Sequence, residues 1–80
     1  MSAQKLVMMA NQIAQFFESQ PDSPPADQTA EHLKKFWDPR MRAALIAHFA
    51  AGGEGMSPTA LAAAQVLADA QRKAKIGDLG

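Results

Sequence analysis

Residues 32–49, HLKKFWDPRMRAALIAHF, gather three large aromatics, two of them adjacent, with an Asp-Pro step and two arginines in an otherwise alanine-rich chain. The Asp38-Pro39 step is the strongest local signal in the sequence. Aspartate is a favoured helix N-cap, because its carboxylate accepts from amides that have no partner in the first turn. Proline suits the first helical position, where the N–H it lacks would be unpaired anyway. A helix therefore begins at 39, and the element ending at Trp37 must be a separate one. Beyond the step, Met41, Leu45, Ile46 and Phe49 share one arc of the new helix, while Ala44, Ala47 and Ala51 make a second, smooth side. A helix apolar on two sides is expected at the centre of a bundle or half-covered by a partner. Gly52 or Gly53 suits its left-handed C-cap, so this helix covers about 39–51.

Working outward, the element before the step covers about 27–37, with Asp27 or Thr29 as its expected cap. Ala30, Leu33, Phe36 and Trp37 share a core-facing side, and Glu31, His32, Lys34 and Lys35 share the solvated back. Upstream, QPDSPPADQ (20–28) holds three prolines, which forbid a continuous helix. Before it, Leu6, Met9, Ile13 and Phe16 recur at spacings of three and four, and Ala10 and Phe17 widen the stripe. That is an amphipathic helix over about 3–19. Met8 falls on its polar side, either as a tolerated surface residue or as a contact. Downstream, GGEG (52–55) opens a glycine-rich hinge over 52–57. Ser57-Pro58 then repeats the cap-and-proline device, starting a helix over about 58–75 with Leu61, Ala64, Leu67 and Ala68 as a narrow stripe. Alanine buries little area, so this last helix is expected to be the most weakly held, with a frayed tail at 76–80.

No stretch alternates with period two over a useful length. The expectation is an all-α protein, a small bundle of three to four short helices forming a single domain over residues 1–80. A chain this short buries only about 60% of its unfolded surface, so its core is thin.

Eight basic and eight acidic residues cancel, giving no bulk attraction to nucleic acid. No apolar run approaches the roughly 20 residues that span a bilayer. The opening MSAQKLVMMANQ is a poor signal peptide, so a soluble, cytoplasmic protein is expected. With no cysteine, the chain has no disulfide, thiolate metal site or cysteine nucleophile. His32 and His48 do not by themselves make a zinc site. The serines sit at caps or in the proline loop, and no carboxylate pair lies at helical spacing near a histidine, so general acid–base work has no candidates. GGEG lacks the Lys and Ser/Thr of a phosphate loop. No catalytic residue, metal ligand or cofactor site is expected.

Arg40 and Arg42 are the anomaly. They stand in the first turn of a helix, where the amides already carry partial positive charge, and each is unfavourable there by roughly 0.3–1 kcal/mol. Arg42 also falls inside the apolar arc. It either extends its head to water or pairs with Glu31 or Asp27, or it offers its guanidinium fork to an anion on another molecule. An exposed Trp37 beside arginines would have the composition of an interface anchor. Asp38, Pro39, Phe36 and Met41 are expected to be structural, as start signal and as core on either side of the corner.

The stretches KLVMMANQIAQFF, HLKKFWDPRMRAALIAHFAAGGEG and SPTALAAAQVL together resemble the delta subunit family of bacterial NAD-dependent, molybdenum- or tungsten-containing formate dehydrogenases. The resemblance covers roughly residues 5–68 and is strongest in MANQI (9–13) and FWDPRMR (36–42). It implies a non-catalytic accessory component of a multi-subunit cytoplasmic enzyme. In that family the alpha subunit carries a bis-molybdopterin guanine dinucleotide centre and iron–sulfur clusters, and beta and gamma subunits pass electrons through flavin mononucleotide to NAD. The delta subunit is associated with assembly or stability of the complex, including cofactor insertion into alpha. The implied partner is therefore the alpha subunit, within a larger complex with beta and gamma, and neither nucleic acid nor membrane. The candidate partner-binding residues are Trp37, Arg40 and Arg42, with Asn11, Gln12 and Met8 from the first helix. The alternative is a small nucleic-acid-binding or regulatory module that uses Lys34, Lys35, Arg40 and Arg42 around Trp37.

Overall fold

Three of the four helices begin at a proline. In a computed structural model, which describes the backbone of residues 2–20 and 22–79 and the side chains of 2–20 and 22–73, the order is α1 (Ala3–Glu18), α2 (Pro25–Phe36), α3 (Pro39–Ala50) and α4 (Pro58–Leu79). No strand occurs among the described residues. The protein is a small all-α globule, as the hydrophobic periodicity requires.

The caps explain the boundaries. Ser2 Oγ accepts from the Lys5 N–H at 3.2 Å and starts α1. Asp38 Oδ1 accepts from the Met41 N–H at 3.0 Å and starts α3. Ser57 Oγ accepts from the Ala60 N–H at 3.2 Å and starts α4. The expected cap of α2 is corrected. Pro24 holds the N-cap position without a side-chain bond, and Pro25 is the first helical residue. Its ring presets the helical φ, so the helix begins ahead of Asp27 and Thr29. Asp27 lies in the first turn, and Thr29 is inside the core at 0% exposure.

The end of α3 matches the glycine signal. Gly52 N–H donates to Phe49 O and Gly53 N–H to His48 O, at 3.0 and 2.9 Å, the paired bonds of a Schellman motif. Gly52 and Gly53 have φ of +124° and +66°. At Gly53 a Cβ would also run into the Leu61 side chain. The segment expected to act as a hinge is tied at both sides. His48 Nε2 lies 2.8 Å from Glu54 O, and Asn11 of α1 bonds Gly55 and Ser57.

Packing reverses the expectation for α4 and removes one of the two alternatives for α3. α4, expected to be the most weakly held, packs against each of the other three. Ala60, Ala63, Ala64 and Leu67 are all buried. Small side chains bury little area each, but they let neighbouring backbones approach closely, and that places α4 at the centre. α3, expected to be either central or half-covered by a partner, is not central. Leu45 is its one buried residue, and Met41, Ile46 and Phe49 are partly covered. Its alanines 43, 44, 47, 50 and 51 face solvent. α4 also continues through Gly77 to Leu79, past the expected end near Lys75. A glycine inside an alanine-rich helix costs about 1 kcal/mol, which does not end it. The side chains of the tail expected to fray, 76–80, lie outside the described residues.

Candidate functional site

The corner between α2 and α3 has an internal explanation. The Arg42 Nη1 group donates to Lys34 O and to Trp37 O, both at 2.8 Å. These are carbonyls at the C-terminal end of α2, where the backbone leaves acceptors unpaired and the helix dipole is negative. An arginine at the wrong end of α3 is thus a cation at the right end of α2. Neither Glu31 nor Asp27 pairs with it among the described residues; Glu31 instead lies 3.8 Å from Lys35.

Trp37 is only 6% exposed and belongs to the core with Leu33 and Leu45. The exposed indole envisaged for an interface anchor is therefore corrected. The same burial removes the ring on which a base would stack, so nothing here favours the nucleic-acid alternative. Asp38 and Pro39 act as the start of α3, as expected, and Met41 is partly buried against the core. Phe36, expected in the core, is corrected in the opposite sense, being 72% exposed. Leu33 and Trp37, four residues apart, take the core-facing side of α2, and Phe36 falls beside it. Arg40 is exposed and makes no ion pair among the described residues.

From α1, Asn11 is spent inside the protein. Its Nδ2 donates to Gly55 O and its Oδ1 accepts from the Ser57 N–H, both at 2.9 Å. One amide thereby holds α1 to the start of α4. Gln12 and Met8 remain in solvent, Met8 at 54% exposure. Among the proposed contacts, Met8, Gln12 and Arg40 stay accessible, while Trp37, Arg42 and Asn11 hold the frame beneath.

A surface the periodicity did not reveal lies beside Gln12. The buried side of α1 is Leu6, Val7, Ala10 and Ala14. That places Phe16 off the stripe, 59% exposed, and leaves Phe17 half-buried. The Phe16 and Phe17 rings meet edge-on at 5.1 Å between centroids. Phe17 meets His32 of α2 at 6.0 Å, and His32 meets Phe36 at 4.7 Å. Four rings thus run in a row across the α1–α2 joint. Gln12, Ile13, Phe16, Phe17 and His32 line one shallow groove. A second, sharing Phe17 and His32, continues past Asp27, Glu31 and Phe36. Two signals in the sequence pointed here. Adjacent phenylalanines are about 100° apart on a helix and cannot both face a narrow core. Residues 6–33 also contain no lysine or arginine.

Met8, Gln12 and Phe16, each four residues from the next, fall on one side of α1, continuous with that row. Contiguous apolar surface left in water by a small fold marks interaction sites. No helix among the described residues is long and apolar enough to cross a membrane. Fold and surface together define a small all-α protein with an exposed aromatic row.

The profile of the NADH-dependent formate dehydrogenase delta subunit, FdsD, matches residues 5–64. That span takes in α1, α2, α3 and the first turns of α4, including the aromatic row and the corner. The chain belongs to this delta-subunit family. Neither a curated protein nor a solved structure gives a significant match.

Proposed function

We propose that the protein is a non-catalytic accessory subunit of a cytoplasmic NAD-dependent formate dehydrogenase. It docks on the alpha subunit and favours that subunit's folded, cofactor-loaded state. Family membership supports a place in the complex. The observation that carries the docking reading is the exposure of Phe16 and Phe36 at 59% and 72%. A chain with so thin a core leaves two of its largest apolar side chains mostly in water, where they bury little area toward its own stability. Met8, Gln12 and Arg40 extend the accessible surface, and Trp37, Arg42 and Asn11 serve docking from beneath by fixing the α2–α3 corner and the start of α4.

The mechanism is linkage. A protein that binds only the native form of its partner stabilises it by about 2.7 kcal/mol when present at a hundred times its dissociation constant. Applied to the alpha subunit, this would hold the loaded conformation while the rest of the complex assembles. Affinity purification of the tagged protein from its host tests the reading. The large molybdenum- and flavin-containing subunits are expected in the eluate. In a strain lacking the chain, the molybdenum content of the alpha subunit is expected to fall, while turnover per loaded centre stays unchanged. An eluate without those subunits overturns the proposal.

A further inference from the structure

The aromatic row is already assembled, because Phe17 and His32 are half-buried and hold the two exposed phenyl rings at its ends. A partner would therefore spend little conformational entropy on ordering this side of the interface. The depression beside Phe36 is open-sided and measures ≈ 610 Å³, space for a row of side chains rather than an enclosure for one small molecule.

Its charge narrows the occupant. Asp27 and Glu31 line the depression. Residues 6–33 carry four acidic groups, Glu18, Asp22, Asp27 and Glu31, and no lysine or arginine. Lys35 is the one cation among the lining residues, and Glu31 stands 3.8 Å from its ammonium group. The face is thus aromatic in the middle and acidic at the edge. We infer that it receives a segment of the partner polypeptide in which arginine or lysine alternates with an apolar residue. The cation would lie over the Phe36 ring, whose face is electron-rich, and bond Asp27 or Glu31, while the apolar residue covers Phe17 toward Phe16. A second copy of this chain is the poorer occupant, because two-fold pairing would set the same acidic edge against itself. The inference rests on the accessory-subunit reading and identifies the chemistry of the surface that the partner presents.

The test uses formate dehydrogenase purified from a strain lacking this chain, titrated with the full-length protein. Three forms are compared: the unaltered chain, Phe16→Ser with Phe36→Ser, and Asp27→Lys with Glu31→Lys. All four positions are partly or fully exposed, and circular dichroism confirms that each form is folded. The serine pair is expected to weaken binding about tenfold or more, as removal of aromatic anchors does. The lysine pair is expected to weaken it at low salt and to lose the salt dependence that the unaltered chain shows. A photo-cross-linking benzoylphenylalanine in place of Phe36 should attach to a peptide of the large subunits that carries net positive charge. Unaltered binding by both variants overturns the inference while leaving the accessory reading intact. A cross-link to an acidic peptide, or to a second copy of this chain, overturns it as well. No binding by the unaltered chain overturns the accessory reading and this inference with it.

Discussion

Arg42 is attached to α3 but acts on α2, through two 2.8 Å bonds from Nη1 to Lys34 O and Trp37 O. Arg42→Ala should therefore lower unfolding stability by about 1–2 kcal/mol, after allowance for partial solvent exposure. Arg42→Lys should recover part of the loss, since an ammonium group can still complement the α2 dipole. Urea denaturation of the three forms measures both effects. Thr29 gives the opposite expectation. Its Oγ1 is buried without a hydrogen-bond partner. Thr29→Val keeps the shape and removes the unsatisfied hydroxyl, and should raise stability by about 1 kcal/mol in the same assay. Single residues were the least legible scale. Arg42 was visibly misplaced for its own helix, but the carbonyls it serves lie five and eight residues back, on another element. Thr29 looked like a cap because threonine is a capping residue, and only the prolines before it decided otherwise.

At the scale of elements, termini were read well wherever a cap and a proline coincide. Asp38-Pro39 and Ser57-Pro58 start helices at the expected residues, because the chemistry of a helix N-terminus is local. Asp38→Ala should cost about 1 kcal/mol and Asp38→Asn much less, since the amide oxygen can still accept from Met41 N–H. Thermal unfolding of both variants checks this. The turn after α3 is stricter. Gly53→Ala forces a Cβ at φ +66° against Leu61 and should cost more than about 2 kcal/mol, combining left-handed strain with a steric clash. Gly52→Ala meets no neighbour within 4 Å, but its φ of +124° lies outside the left-handed well open to a side chain, so it too should cost about 1–3 kcal/mol, from backbone strain alone. Which helix is central was not legible. α4 reads as poor in large apolar residues, yet Ala63 and Ala64 are wholly buried, because small side chains bring three neighbours close.

At the scale of the molecule, the docking surface we propose lies at the α1–α2 joint rather than at the α2–α3 corner. Helical wheels placed Phe16 and Phe36 on core stripes, since each follows the apolar spacing of its own helix. A wheel records direction around one axis and not where the neighbouring helices lie. The packed sides are Leu6, Val7, Ala10 and Ala14 on α1 and Leu33 with Trp37 on α2, and both phenylalanines fall beside them. Because they are exposed, Phe16→Ser with Phe36→Ser should leave the unfolding midpoint of the isolated chain nearly unchanged while reducing its recovery in the formate dehydrogenase complex. Denaturation beside co-purification separates the two effects. A matching fall in midpoint would mean that the rings contribute to the fold rather than to docking.

By itself the sequence determined the all-α class, the four helices, most of their starts and the family resemblance, because periodicity, caps and glycine turns act over a few residues. Tertiary structure alone decided that Trp37 is core and Phe36 is surface, that Asn11 ties α1 to α4, and that Arg42 closes α2. These depend on which backbone lies opposite a side chain after the helices have packed, and in Asn11 the two ends of that contact are 44 and 46 residues apart along the chain.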